Sequence, residues 1–332
     1  MKIGSKKTVL VTGGAGYIGS VCVQELIKKN YNVVVFDNLE YGHKHNLDFN
    51  KCKLIVGDLR EYRSILRAME ETKPDAVMHF AAYALVGESC KDPLKYFNNN
   101  VTGGINLLMA MEAVGCKRLI FSSTCATYGI PDFSKSKSKT ITEDTPQHPI
   151  NPYGASKHIF EQVIKSYAMH KSLKYTIFRY FNACGAAGGL GEEHFPETHL
   201  IPNALNSALD AQKRLEVFGD DYSTPDGTCI RDYIHVSDLA EAHVKALVDG
   251  IYGEFNLGTG KGISVKEIVS LVEQVTKKKS KHKICNRRPG DPDLLVADPS
   301  KAQNALKWKA KKTAKDAVED AYSFMTKKER NS

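Results

Sequence analysis

Tyr153 and Lys157 stand four residues apart in NPYGASK, a spacing that puts both side chains on one face of a helix. A phenol beside an ammonium suits the removal of a proton from an alcohol. The positive charge favours the phenolate and lowers its pKa from about 10, which gives a base near neutrality for a carbon that is losing hydride. Upstream, Ser122, Ser123 and Thr124 close the apolar run KRLIFSST. Thr124 is expected to hydrogen-bond the reacting oxygen, with Ser122 and Ser123 structural. A YxxxK pair alone is common by chance, so its meaning depends on what else the chain carries.

Gly13, Gly16 and Gly19 in VTGGAGYIGS fall between a β-like run and a helical one. Glycines there allow a tight turn and let backbone N–H groups approach a pyrophosphate at the helix N-terminus. About 20 residues on, Asp37 ends NVVVFD, where a carboxylate accepts from the adenosine ribose and repels a 2′-phosphate, favouring NAD over NADP. Asp58 in VGDL has two readings, a contact to the adenine edge or a strand-end turn.

These residues need a scaffold. TVLVTG, NVVVFD, KLIVGD, DAVMHFAA, KRLIFSS and YTIFRY read as strands, nearly continuous in apolar character as in a parallel sheet covered on both faces. Helices are predicted at about Tyr17 to Asn30, Glu61 to Thr72, Pro93 to Val114 and Pro152 to His170. Strand then helix, repeated, is the pattern of a Rossmann-type doubly wound α/β fold. After Phe181 the chain becomes rich in Gly and Ala and loop-like. A helix within IHVSDLAEAHVKALV, N-capped by Ser237, and the run EFNLGTG then lead back to the main sheet. The predicted division is a dinucleotide domain over 1–181, rejoined by about 232–260, and a smaller mixed α/β substrate domain over 182–231 and 261–332.

Composition narrows the class. The chain has 332 residues, 42% hydrophobic and 25% charged, ordinary for a globular protein with a sizeable core. Its longest apolar stretch, AVMHFAAYALVG, is too short to span a bilayer, and the N-terminal apolar run is too short for a signal peptide. The net charge of +8 comes from tracts at Lys135 to Lys139, Lys277 to Lys283 and Lys307 to Lys312. The first two lack the interleaved aromatics of a single-strand binder, so they read as solvated faces, with no nucleic-acid partner. Cys22, Cys52, Cys90, Cys116, Cys125, Cys184, Cys229 and Cys285 form no CxxC pair. Reduced thiols in a cytoplasmic enzyme without a metal are expected.

Taken together, GGAGYIGS, FDNL, GDLR, HFAA, VGES, NNNV, FSSTCATYG, NPYGASK, RYFN, GTCIRDYIHVSDLA, NLGTG and RRPGD resemble the UDP-glucose 4-epimerase family of extended short-chain dehydrogenases. The likeness runs from about Thr8 to Asp298, and GTCIRDYIHVSDL and RYFN are its more specific parts. It implies NAD contacts at Tyr17, Ile18, Asp37, Asn38, Asp58, Leu59, Phe80, Ala81, Asn99, Lys157 and Tyr180. It implies UDP-sugar contacts at Asn182, His199, Leu200, Phe218, Arg231, Arg288 and Asp291. Guanidinium forks at Arg231 and Arg288 suit a diphosphate, with surface ion pairing as the alternative. A homodimer through the helices near Pro93 to Val114 and Pro152 to His170 is also implied.

Two positions depart from the family. A basic residue that reaches the cofactor diphosphate in many members is replaced by Ala84. A Tyr that closes the sugar pocket to N-acetyl groups is replaced by Leu295. Related dehydratases need an Asp-Glu pair after the strand-end Thr, and related decarboxylases a Glu; here Cys125 and Ala126 follow Thr124. The expected reaction is therefore oxidation at C4 of UDP-glucose or UDP-galactose and return of hydride to the other face. UDP-N-acetylglucosamine and UDP-xylose/UDP-arabinose are alternative substrates. A dinucleotide binder without turnover would have no need of Thr124, Tyr153 and Lys157 together.

Overall fold

The β-branched runs form buried strands in the computed structural model, which describes residues 6–133, 138–288 and 290–331. The six predicted strands are β1 (Thr8–Thr12), β2 (Asn32–Asp37), β3 (Cys52–Val56), β4 (Ala76–His79), β5 (Arg118–Thr124) and β6 (Lys174–Tyr180). Then come β7 (Asn182–Cys184), β8 (Leu215–Phe218), β9 (Ile230–His235), β10 (Gly253–Leu257), β11 (Gly262–Ser264), β12 (His282–Cys285) and β13 (Leu294–Leu295). A seven-stranded sheet takes the order β3-β2-β1-β4-β5-β6-β10, and β1 runs parallel to both β2 and β4. The order reverses between β1 and β4, the switch point at which doubly wound sheets bind ligands. EFNLGTG supplies β10, the expected return to this sheet.

The helix Pro152–His170 begins as its sequence dictates. Pro152 is pre-set for the first turn, and the Asn151 side chain accepts from Gly154 N at 2.8 Å, a cap of about 1 kcal/mol. The helical run predicted from Pro93 to Val114 forms in three pieces: an α-turn at Pro93–Tyr96, a π segment at Phe97–Thr102 and the helix Gly103–Val114. A helix also forms at Val236–Lys245. Ser237 lies inside it rather than capping it, because its hydroxyl meets His235 Nδ1 at 2.7 Å.

The chain divides into two compact units, one of residues 1–127, 149–179 and 240–255, the other of 128–148, 180–239 and 256–332. The core of the first joins Leu10, Phe36 and Phe121 of the sheet to Met69, Leu107 and Phe160 of the helices. Burying a side chain such as Phe160 contributes about 2 kcal/mol. The second has its own core, in which Ile201, Leu205, Ile268 and Val272 pack with Tyr233 and Val318. The rejoining segment is thus shorter than the predicted 232–260, and 128–148 groups with the second unit. Ile141 bridges to Ala297 there, and Asn256 bonds both Ile141 O and Glu143.

Of the basic tracts, residues 135–137 lie outside the described residues. In the second, Lys279 pairs with Glu273 at 2.8 Å and Lys283 with Glu216 at 2.7 Å, both lysines exposed. All eight cysteines are free thiols. Among the described residues no helix is long and apolar enough to cross a membrane.

Candidate active site

The first unit builds a cradle at the switch point. Gly13 has φ +71°, and a Cβ there would lie 2.5 Å from Ala81 N, so the turn after β1 touches the loop after β4. A Cβ on Gly19 would strike the Gly13 carbonyl oxygen. Gly16 precedes the helix Tyr17–Lys28, which no side chain caps; an N-terminus that receives a phosphate needs that opening. The cradle therefore fits a dinucleotide. Tyr17 is buried and Ile18 partly so.

Asp37 is 6% exposed and accepts from Ala15 N at 3.0 Å and Leu39 N at 2.9 Å. Burial raises its pKa, and the two N–H donors oppose that rise. Asp58 meets Arg60 at 2.6 Å and the Asn38 amide at 3.0 Å. Arg60 in particular holds the Asp58 carboxyl down at about 2. Phe80 N and Ala81 N both donate to Thr12 O, and Leu59 is buried in the core. Asn99 donates to Asn100 Oδ1 at 3.0 Å.

At the carboxyl end of β5, Thr124 hydrogen-bonds Tyr153, while its Oγ1 accepts from Ala126 N at 3.2 Å. Lys157 donates to Ser122 O at 2.7 Å and lies 4.8 Å from the centre of the Phe121 ring. The lowered Tyr153 pKa expected from Lys157 is not what results. Burial pushes the phenol up to about 12, and the Thr124 hydrogen bond is the contact that opposes it. Burial also pushes the Lys157 ammonium down to about 7, with Glu161 acting the other way. Sequence reasoning missed Glu161, one further helical turn beyond Lys157. It is fully buried, paired with Arg179 at 2.7 Å and bonded by Ser123.

The second unit positions the remaining predicted residues. Tyr180 ends β6, and Asn182 in β7 pairs with Tyr233 in β9. His199 precedes the helix Leu200–Leu209. Arg231 in β9 bonds Asp291 at 2.5 Å, and Tyr222 Oη donates to Asp291 at 3.4 Å. Arg288 stacks 4.0 Å from the Phe218 ring centre. Leu295, 9% exposed, lies opposite Arg231 in the β13–β9 ladder. Asp291, expected to meet ribose hydroxyls, is thus committed to Arg231 on one oxygen.

A metal-like cluster was not anticipated. Ligand atoms of Glu192, His194, Glu197 and His199 lie within 4.8 Å of one another. Glu192 sits between His194, at 2.9 Å, and His199. One Glu197 oxygen already accepts from Thr198 N and His199 N. Loss of water opposes charge on His199, but the two glutamates outweigh it and raise its pKa to about 10. Glu192 thus pairs with both histidines, and Glu197 also pairs with His199.

Comparison with known proteins agrees with this geometry. Residues 9–258 match the NAD dependent epimerase/dehydratase family. The chain is similar to a UDP-glucose 4-epimerase of Lactobacillus helveticus, 48% identical over 93% of this chain and 94% of that one. It is similar in structure to the UDP-glucose 4-epimerase of Brucella ovis in complex with NAD, with a TM-score of 0.90 and 45% identity over 96% of this chain and 98% of that one. The enzyme from Bifidobacterium longum, in complex with NAD+ and UDP, gives a TM-score of 0.91 and 38% identity over 98% and 100% of the two chains. A glycine cradle, an acidic residue ending β2 and a Thr-Tyr-Lys set, matched along three-quarters of the chain, have one meaning: this protein belongs to the NAD dependent epimerase/dehydratase family.

Proposed function

We propose that the protein is an NAD-dependent UDP-sugar 4-epimerase whose best substrates are UDP-glucose and UDP-galactose. One observation carries this reading. Thr124, Tyr153 and Lys157 are gathered at the end of β5, and the residues after Thr124 bring no acid or base for elimination. Glu161 offers none either, since it is committed to Arg179 and Ser123.

NAD, when bound, would supply the acceptor and donor for the C4 hydride. Gly13, Gly16, Gly19 and the first turn after them would hold its pyrophosphate, and Asp37 its adenosine ribose, which disfavours NADP. Tyr153 takes the C4 hydroxyl proton and later returns it; Thr124 bonds the same oxygen and steadies the phenolate. Lys157, bonded to Ser122 O, fixes the approach of the ribose. Arg231 and Arg288 grip the diphosphate, so the 4-keto sugar stays attached while its ring turns. A strong grip on the handle and a weak one on the ring is what inversion requires.

Leu295 supports the choice of hexose. It is smaller than the Tyr that excludes N-acetyl groups in the family, yet it still crowds them. Overpacking costs about 1–3 kcal/mol, or roughly 5- to 150-fold in specificity. Product analysis on UDP-galactose, UDP-N-acetylgalactosamine and UDP-arabinose, after reconstitution with NAD or NADP, tests the reading. UDP-galactose with NAD should convert fastest, and Leu295→Tyr should abolish the slower N-acetylated reaction. Comparable rates on all three sugars, untouched by Leu295→Tyr, would remove the gate; equal activity with NADP would remove the role of Asp37.

The exposed Leu94, Ile105, Met109, Ile159 and Met169 lie on the helical run from Pro93 to Val114 and on the helix Pro152–His170. We read this apolar surface as the face of a homodimer. The eight free thiols fit a reducing, cytoplasmic setting.

A further inference from the structure

We infer that Glu192, His194, Glu197 and His199 form a binding site for a divalent transition-metal cation, with Zn²⁺ the ion that suits it best. All four stand in the short run GEEHFPETH, and one ligand atom from each lies within 4.8 Å of the others. Tetrahedral Zn²⁺ holds nitrogen and oxygen at about 2.0–2.2 Å, so closing the four onto an ion takes movements of about 1 Å. Local contacts already aim the side chains. Glu193 turns away and pairs with Lys328 at 2.5 Å, while its neighbours Glu192 and His194 meet each other at 2.9 Å. One Glu197 oxygen accepts from Thr198 N at 2.7 Å and His199 N at 2.8 Å. Supporting hydrogen bonds of that kind orient metal-binding carboxylates.

Two observations point to an ion rather than to ion pairs alone. The Glu192 side chain is 7% exposed, and it shares His199 Nδ1 as a neighbour with Glu197. Two carboxylates brought this close, one of them out of water, need positive charge between them. His199 Nδ1, for its part, is buried and makes no hydrogen bond, although it touches Glu192 and stands 3.4 Å from Glu197. A donor proton would be directed at one of those oxygens, whereas ligand atoms crowd one another around a shared point. Two neutral imidazoles and two carboxylates leave a charge that a divalent cation cancels. Without the cation the same balance needs protons on the histidines, so metal and proton compete for one nitrogen. Imidazole favours Zn²⁺ over Mg²⁺ and Ca²⁺, which prefer larger all-oxygen sets. The role of the ion is structural. His199 directly precedes the helix Leu200–Leu209, whose Ile201 and Leu205 belong to the second core, so the ion fastens the preceding loop to that helix.

The test uses the full chain, purified without metal-affinity resin, stripped with a chelator and titrated with Zn²⁺ alone. Wild type should bind about one Zn²⁺ per chain, and its Tm should rise by several degrees at roughly 100 times the Kd. Free thiols also take up zinc, so Co²⁺ is titrated in parallel. Nitrogen and oxygen ligands give visible absorption without the near-ultraviolet band of thiolate bound to cobalt. Glu192→Gln and His194→Ala should each weaken uptake by at least about 10-fold and abolish the rise in Tm. No uptake would show that protonated histidines balance the glutamates, and it overturns the proposal. Uptake with a thiolate band, or uptake unchanged in both variants, overturns it as well. If His194→Ala does not fold, Glu192→Gln, which keeps the shape of the side chain, decides by the same readings. None of these readings depends on the reaction proposed above.

Discussion

Tyr153 must lose its proton in a setting that favours keeping it. Burial holds the phenol at about 12, and the Thr124 hydroxyl is the contact that favours the phenolate. Because the group titrates above neutrality, kcat should rise with pH between about 6 and 9. Thr124→Val removes a bond to the charged form, so the phenol pKa moves up and the rise in kcat moves to more alkaline pH. Near neutrality the variant should lose about tenfold or more. A pH–rate profile of the two proteins checks this, and an unshifted profile would show that Thr124 does not act on Tyr153. The residue types and the spacing of Tyr153 and Lys157 were legible in the sequence. Their protonation was not, because desolvation depends on what the fold packs around them. Lys157, pushed down to about 7 by burial, shows the same dependence. The same limit applies to Asp291: its place in RRPGD was readable, but its commitment to Arg231 arises from a residue 60 positions away.

At the scale of elements, the turn from β1 into the helix Tyr17–Lys28 has the sharpest requirement. Gly19→Ala places a Cβ against the Gly13 carbonyl, so the helix must move away from the turn that receives the pyrophosphate. Purified Gly19→Ala should carry at least about tenfold less bound NAD than wild type, measured by release and absorbance. Full NAD content would show that the cradle tolerates the shift. Strands β1 to β6 and the helix Pro152–His170 could be read directly, since apolar runs, Pro152 and Asn151 are local signals. The π segment could not. Within it Asn100 bonds Tyr83 and Ser156, 17 and 56 residues away, and periodicity within Pro93 to Val114 carries no trace of those partners. Ser237 failed as a cap for a similar reason, as its hydroxyl is claimed by His235.

At the scale of the whole molecule, each of the two units has its own core. The excursion 128–148 belongs with the second because Ile141 and Glu143 bond to residues far along the chain, which no local composition shift marks. The homodimer reading predicts a mass in solution twice the chain's 36.8 kDa. Ile159→Asp, in the exposed apolar face, should shift light scattering toward the monomer; a wild-type monomer would contradict the assignment of that face. The central claim is that one carbon loses hydride and regains it within the same protein. It is tested most directly with UDP-galactose deuterated at C4, converted in ordinary water. The account predicts UDP-glucose that keeps its deuterium, no accumulation of free NADH, and a rate at least ~10²-fold lower in Tyr153→Phe. Product whose C4 deuterium has been replaced from solvent, formed as fast by Tyr153→Phe as by wild type, would contradict it.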